Sequence, residues 1–369
     1  MKKILLVELK TIEPVVITSK KGKTKYIEST SHIPASTILG AAARKVILEN
    51  VDSGVGNCKK ICDLSELPNC DECPENCKYR RVWVDKKIKL TNAVLGKWDF
   101  SSPGLVNLQS AGESRENGTK SDLLLLMFLD RMRWLGKAER SAEKSPVHYK
   151  KRPSTFDGKD FREVEKIQIT RVSIDERYKA SKHGELYGFT AIRKGQKFRF
   201  MVLCDSDIGD LFNGEVKIGA WKSRGMGLVR MRVVESMEDD EYIERRSGEI
   251  EKGFEILSKT LEKYGVSGNY GTYTCMTDVT REMDLNSVFK LERGGKSVRF
   301  ERRRDGDYFV VTDTITCGSV GVFEVDEPEK MSRSLAEIEL EAGAEPWFDW
   351  VFFNHPVHIK KSVLNGVEV

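Results

Sequence analysis

The chain has 369 residues, with 61 Lys and Arg against 57 Asp and Glu, a formal charge of +4 and 39% hydrophobic residues. That length and composition describe a globular protein with room for two domains, and they exclude a disordered chain. The charge excess is too small for a global field to capture nucleic acid, so any such surface must come from local clustering of cations.

"MKKILLVELK" reads as a first strand, because Glu8 and Lys10 interrupt the apolar run before a signal-peptide core forms. A cytoplasmic location is the expectation, with cysteines confined largely to one segment and no disulfide framework. "IPASTILGAAARKVILEN" opens on Pro34, offers Ser36 or Thr37 as capping hydroxyls, and carries apolar residues at helical spacing from Ile38 to Leu48. "DLLLLMFLDRMRWLG", from Asp122, is too short to cross a bilayer and is broken by Asp130, Arg131 and Arg133, so a buried helix is expected. Residues 136–166 are polar and aperiodic and read as a loop insertion. "QKFRFMVLCD" and "GLVRMRVVE" alternate as strands with one buried face. The charged run "ESMEDDEYIERRSGE" from Glu235 reads as a domain boundary. Beyond it, Ile250, Phe254, Leu257, Leu261 and Tyr264 share a helical face that Gly265 ends, and a hairpin is expected around Asp305-Gly306. Both halves are therefore α+β, 1–235 and 249–369.

Between the first helix and the rest lies "CKKICDLSELPNCDECPENC". Cys70-x-x-Cys73 has metal-ligand spacing, and Cys62 and Cys77 complete a tetrahedral thiolate set, with Cys58 as the substitute. The expected cofactor is a structural Zn2+ in an insertion at about 56–80; an iron–sulfur cluster and a group of reduced thiols are the alternatives.

"GAWKSRGMGLVR", from Gly219, joins two apolar runs. It is no Walker A loop, since Trp221 stands where that motif requires glycine, and no dinucleotide fingerprint, since Arg230 takes the place of the third glycine. A glycine-rich turn with Lys222 and Arg224 can let a phosphodiester chain approach its backbone N–H groups; a solvated hairpin is the plain alternative. "RVSIDERYKASKHGELYGF", from Arg171, interleaves cations with Tyr178, Tyr187 and Phe189, which suits phosphate contact plus base stacking, or simply a charged surface. Asp175, beside Arg171 and Arg177, reads as an ion-pair residue. Of the five histidines (His32, His148, His183, His355 and His358), none lies in a hydrolase signature, and Ser110 lacks a nucleophile elbow. His32 with Tyr26, in a loop with Lys20, Lys21, Lys23 and Lys25, is the enzymatic candidate: a metal-independent endoribonuclease would take a 2′-hydroxyl proton there.

In order, "HIPASTILGAAAR", "LTNAVLGKWDFSSPGL", the block from Arg171 to Asp205, and "IGAWKSRGMGLVRM" resemble the RAMP superfamily of CRISPR-associated proteins over residues 1 to 235. The placement of the cysteine insertion is most similar to the type III-D effector subunit that holds the guide RNA's 5′ end. The resemblance implies a ferredoxin-like βαββαβ fold, in two tandem halves. It also implies an RNA-binding role for Gly219, Lys222, Ser223, Arg224, Gly225 and Gly227, with Arg171, Lys25 and Arg44. The partners it implies are guide RNA (crRNA), a large polymerase-like subunit and repeated backbone subunits, with no membrane. Ala35 replaces the family's usual glycine, and "TSKKGKTKYIESTSH" offers Glu28 but no aspartate, so target slicing is not expected and the implied subunit is non-catalytic. The other functions weighed are the endoribonuclease processing guide precursors and a zinc-stapled protein-interaction module without RNA.

Overall fold

The computed structural model describes residues 2–18, 26–53, 75, 77–113, 120–138, 155–175, 180–280, 285–303, 306–341, 343 and 345–359, with backbone alone at 26–27, 50–53, 83–84, 172–175, 180–187, 298–303 and 306–309. The chain runs through β1 (Lys2–Thr11), β2 (Tyr26–Ile27), α1 (Ala35–Ser53), a π-turn at Arg80–Val84, β3 (Ile88–Leu90), β4 (Val94–Leu95), β5 (Leu105–Val106), β6 (Ala111–Glu113), β7 (Lys120–Asp122) and α2 (Leu124–Trp134). It continues with β8 (Thr155–Phe156), β9 (Phe161–Arg162), β10 (Lys166–Asp175), β11 (Ala180–Ile192), β12 (Lys197–Asp205), β13 (Gly214–Lys217) and β14 (Leu228–Glu238). The second half holds α3 (Asp239–Glu262), β15 (Tyr270–Cys275), β16 (Ser287–Leu291), β17 (Gly294–Arg303), β18 (Gly306–Ile315), β19 (Val320–Glu324), α4 (Pro328–Leu340), β20 (Val351–Phe353) and α5 (Pro356–Ile359). The α+β class read from the sequence holds, and the sheets are almost wholly antiparallel.

The first sheet has the order β13-β14-β1-β12-β3, with β4 also on β12, and the second has the order β16-β19-β15-β20. Alternation in "KILLVELK" and "QKFRFMVLCD" predicts one buried face, but β1 and β12 are buried on both. Leu5, Val7 and Leu9 pack with Ile38, Leu39 and Val46 of α1. On the opposite face Ile4, Leu6, Met201 and Leu203 join α2, Leu257 and Leu261 of α3, and Val320 and Val322 of β19. This second core draws on both halves of the chain, so sequence from the far half covers a face that looks solvent-bound when read locally.

Residues 235–249, read as a boundary, are the end of β14 and the first turns of α3. Asp239, Asp240 and Glu241 lie in that first turn, where carboxylates favour the positive end of the helix dipole. Farther along α3, Arg246 is fully buried and bonds both carboxylate oxygens of Glu339 on α4, at 2.8 and 3.0 Å, and the Phe353 carbonyl at 2.8 Å. The segment 136–166 is not loop throughout, since β8 and β9 occupy part of it; 139–154 lies outside the described residues. Among the described residues, no helix is long and apolar enough to cross a membrane.

The start of α1 is held from a distance. Asn92 Oδ1 accepts from the Ala35 N–H at 3.0 Å while its Nδ2 donates to the Met276 carbonyl at 3.1 Å. The cap therefore comes from the strand region after β3 and not from Ser36 or Thr37 as the local sequence suggests, and it ties α1 to the second half. "EPWFDWVFFNHP" is core: Phe348, Trp350, Phe352 and Phe353 are all buried.

Candidate nucleic-acid interface

Glycine fixes the path of the loop between β13 and β14. Gly219 and Gly227 have φ of +73° and +92°, and a Cβ on either would lie 2.3 Å from a carbonyl oxygen, of Val16 and Ile218 respectively. Only glycine, which has no Cβ, tolerates a left-handed backbone at so close an approach. The extension of β1 runs under the loop: Ala220 N–H donates to the Val16 carbonyl at 2.8 Å, and Gly227 N–H to that of Pro14 at 2.9 Å. Between these posts Lys222–Arg224 form a single 3₁₀ turn, flanked by Trp221 and Gly225, both left-handed. Gly225 has open space around it.

Trp221 joins two of the segments singled out in the sequence. Its ring lies 4.6 Å from that of Phe189 on β11, and the guanidinium carbons of Arg171 on β10 and Arg224 lie 5.3 and 5.0 Å from its centroid. Cation–π attraction at such distances offsets part of the repulsion between two guanidiniums sharing one ring. Neither arginine pairs with a carboxylate among the described residues. Phe189, expected to stack on bases, is instead buried beneath Trp221, because β11 turns it toward Val16, Ala191 and Met226.

Beside this cluster runs a groove of about 620 Å³ between α1 and the glycine loop, lined by Ala41, Arg44, Lys45 and Leu48 on one wall and Glu215, Val216, Lys217, Trp221, Lys222 and Ser223 on the other. Lys45 Nζ donates to the Asn213 carbonyl at 2.8 Å and stands 3.9 Å from the Glu49 carboxylate, and Lys217 Nζ donates to the Lys222 carbonyl at 3.1 Å. Glu215, the one carboxylate lining the groove, is bonded by Arg230 at 2.6 Å. Burial, and then the charge of Arg44, hold the Lys222 ammonium below its ordinary pKa. Two cations that destabilise one another across a groove mark a place where an anion would be stabilised.

Other candidates fall elsewhere. His32 sits in the approach to α1; its Nδ1 is shut from solvent with no hydrogen-bond partner among the described residues, and burial pulls its pKa down to about 4. Its imidazole is therefore neutral near pH 7. The Tyr26 side chain, Lys25, Cys58, Cys62, Cys70 and Cys73 lie outside the described residues. Cys77 is buried just before the π-turn, and its carbonyl accepts the Arg81 N–H at 3.1 Å. Ser110 is buried in a chain running through Asp122 to His358 and Thr274, where His358 bonds Asp122 and Thr274 at 2.8 Å each. All four are closed to solvent, so they serve packing. His355 is also buried; its Nε2 donates to the Pro103 carbonyl at 2.8 Å while its Nδ1 accepts the Val357 N–H at 3.1 Å. Trp221, Lys45 and Lys217 escaped the sequence reading as binding residues; the adjacency of Trp221 to Lys222 was the available signal.

No protein-family model matches the chain, and no curated protein matches it in sequence. Among solved structures it is similar to a chain of the type III-B Cmr-beta complex bound to cognate target RNA and AMPPnP, at 14% identity and a TM-score of 0.43, covering 92% of this chain and 90% of that one. A chain of Cmr-beta bound to cognate target RNA is similar at 16% identity and a TM-score of 0.32, over 63% of this chain and 96% of that one. A chain of the apo state is similar at 15% identity and 0.34, over 63% and 97%.

Proposed function

We propose that the groove between α1 and the glycine loop holds the sugar–phosphate backbone of a single-stranded RNA, and that the chain is a non-catalytic guide-RNA-binding subunit of a type III CRISPR effector complex. The carrying observation is the set of Arg44, Lys222, Arg171 and Arg224, drawn from three separate parts of the sequence and gathered with no neutralising carboxylate among the described residues. Guanidiniums suit phosphate because their forked donors match two oxygens at once. Gly225, with open space around it, leaves the loop backbone open to the same chain, while Gly219 and Gly227 fix the loop's path. The motif resemblance turns this general RNA reading toward a guide.

Two features support the fold that resemblance implies. Across the first sheet the strands run β14, β1, β12, β3, which in chain order is fourth, first, third, second, the order of a ferredoxin-like βαββαβ unit. The strands β15, β16, β19 and β20, numbered likewise, lie in the same order read from the β20 edge, which supports a second half over 249–369. A structural Zn2+ held by Cys62, Cys70, Cys73 and Cys77 belongs to the same reading. Four thiolates satisfy its tetrahedral preference and staple a segment poor in apolar residues.

The test is to express the chain with its effector partners and a guide array and to sequence the RNA that co-purifies. Guides with one common 5′ end, lost on Lys222→Ala with Arg224→Ala, are expected. Recovery of no RNA, or of RNA with no common end, would move the reading to a protein-interaction module.

A further inference from the structure

We infer that the groove between α1 and the glycine loop seats one nucleobase as well as phosphate, and that Glu215 makes the seat select bases with an exocyclic amine over uracil. This rests on the RNA reading, and it begins from two features of the groove that phosphate does not explain. The first is its apolar walls. Ala41, Arg44, Lys45 and Leu48 stand at i, i+3, i+4 and i+7 on α1, so one stripe of the helix flanks two cations with apolar side chains. Leu48 is 50% exposed, and Val216 of β13 lines the same groove from the other wall. A phosphodiester chain gains nothing from such walls, whereas a base is flat, apolar on its faces and polar at its edge, and it fits between them. A volume of about 620 Å³ is in the range that takes a small organic ligand. The indole of Trp221 is already engaged by Phe189, Arg171 and Arg224, so the grip falls to the aliphatic side chains.

The second feature is a carboxylate where a phosphate would be repelled. Glu215 lies on β13, the edge strand of the first sheet, and Arg230 takes only one of its oxygens: Nε and Nη2 both donate to Oε1, at 3.1 and 2.6 Å. Oε2 has no partner among the described residues, and the side chain is 44% exposed. A carboxylate oxygen only accepts, so what completes it is an N–H donor. Adenine, cytosine and guanine each bring one in an exocyclic amine, with a ring acceptor beside it that Lys222 or Ser223 can meet. Uracil has no amine. Its edge N–H lies between two carbonyl oxygens, which would face the carboxylate with the same sign of charge. A site built to accept from an amine rejects the base that lacks it.

Fluorescence anisotropy of the full chain with labelled RNA decamers of adenosine, of cytidine and of uridine, at one salt concentration, tests this for the native sequence, Glu215→Gln and Glu49→Gln. The native chain should bind the adenosine and cytidine decamers about tenfold more tightly than the uridine decamer, the discrimination one good base contact gives. The amide of Glu215→Gln donates as well as accepts, so all three should bind with affinities within about twofold of one another. Glu49, paired with Lys45 at 3.9 Å, stands outside the groove lining, and its loss should keep the native ratio. Equal affinities in the native chain, or a preference that survives Glu215→Gln or vanishes equally with Glu49→Gln, would overturn the base seat and leave the RNA reading standing. Binding of none of the decamers would overturn both.

Discussion

Arg171 on β10 and Trp221 in the glycine loop meet at 5.3 Å, and that contact joins two stretches far apart in sequence into one cationic surface. The indole also holds Arg224. Trp221→Ala should leave both guanidiniums charged but unanchored, so RNA affinity falls about tenfold, in the range of cation–π energies, with the salt dependence nearly unchanged. Filter binding at two salt concentrations reads both quantities.

The glycines of the loop should separate into two classes. Gly219→Ala and Gly227→Ala each drive a Cβ to 2.3 Å from a carbonyl oxygen on a left-handed backbone, while Gly225→Ala, at φ +72°, meets open space. The first two should destabilise by more than about 2 kcal/mol and the third by about 1 kcal/mol, the cost of the left-handed conformation alone. Urea denaturation of the three variants measures this; equal losses would mean that the close approaches do not hold the loop.

The buried Arg246–Glu339 pair is bonded on every side, by Tyr242 at 3.0 Å and by the Phe353 N–H at 2.9 Å as well. Arg246→Met alone strands a carboxylate in the core and should cost about 3–5 kcal/mol, whereas adding Glu339→Gln should return much of that loss. Thermal unfolding of the single and double variants gives the comparison.

His32 gives the fold an acid sensitivity of known sign. Its folded pKa, about 4, lies below the ordinary 6.5, so the unfolded chain binds the additional proton between those values. Stability is complete above pH 6.5 and declines as pH falls toward 4, by up to about 3 kcal/mol for a shift of that size. His32→Gln should flatten this part of the stability–pH curve. On the non-catalytic reading it should leave RNA intact and bound as before.

The sequence was most informative where one residue type has one physical use. Glycines 219 and 227 announced a constrained loop because only glycine tolerates that backbone, and the apolar runs at β1, β12, α1 and α2 marked their elements. What it concealed depends on contacts between distant segments. Nothing local tells that Asn92 caps α1, that α2 and α3 cover the second face of β1, or that α1 and β13 approach closely enough to set Arg44 beside Lys222. Phe189 looked like a stacking residue for the same reason: in sequence it follows a run of cations and tyrosines, and only the loop above it shows that it is covered. Cys58, Cys62, Cys70 and Cys73, with Lys25, were legible as chemistry and fall outside the described residues.

The most direct measurement is the affinity of the full chain for single-stranded RNA as a function of salt, for the native sequence and for Lys222→Ala and Arg44→Ala. Four phosphates held by Arg44, Lys222, Arg171 and Arg224 predict a slope of log K against log salt of about −3, with each variant making it shallower by about 0.7. Absence of binding at low salt, or slopes that neither variant alters, would contradict the account.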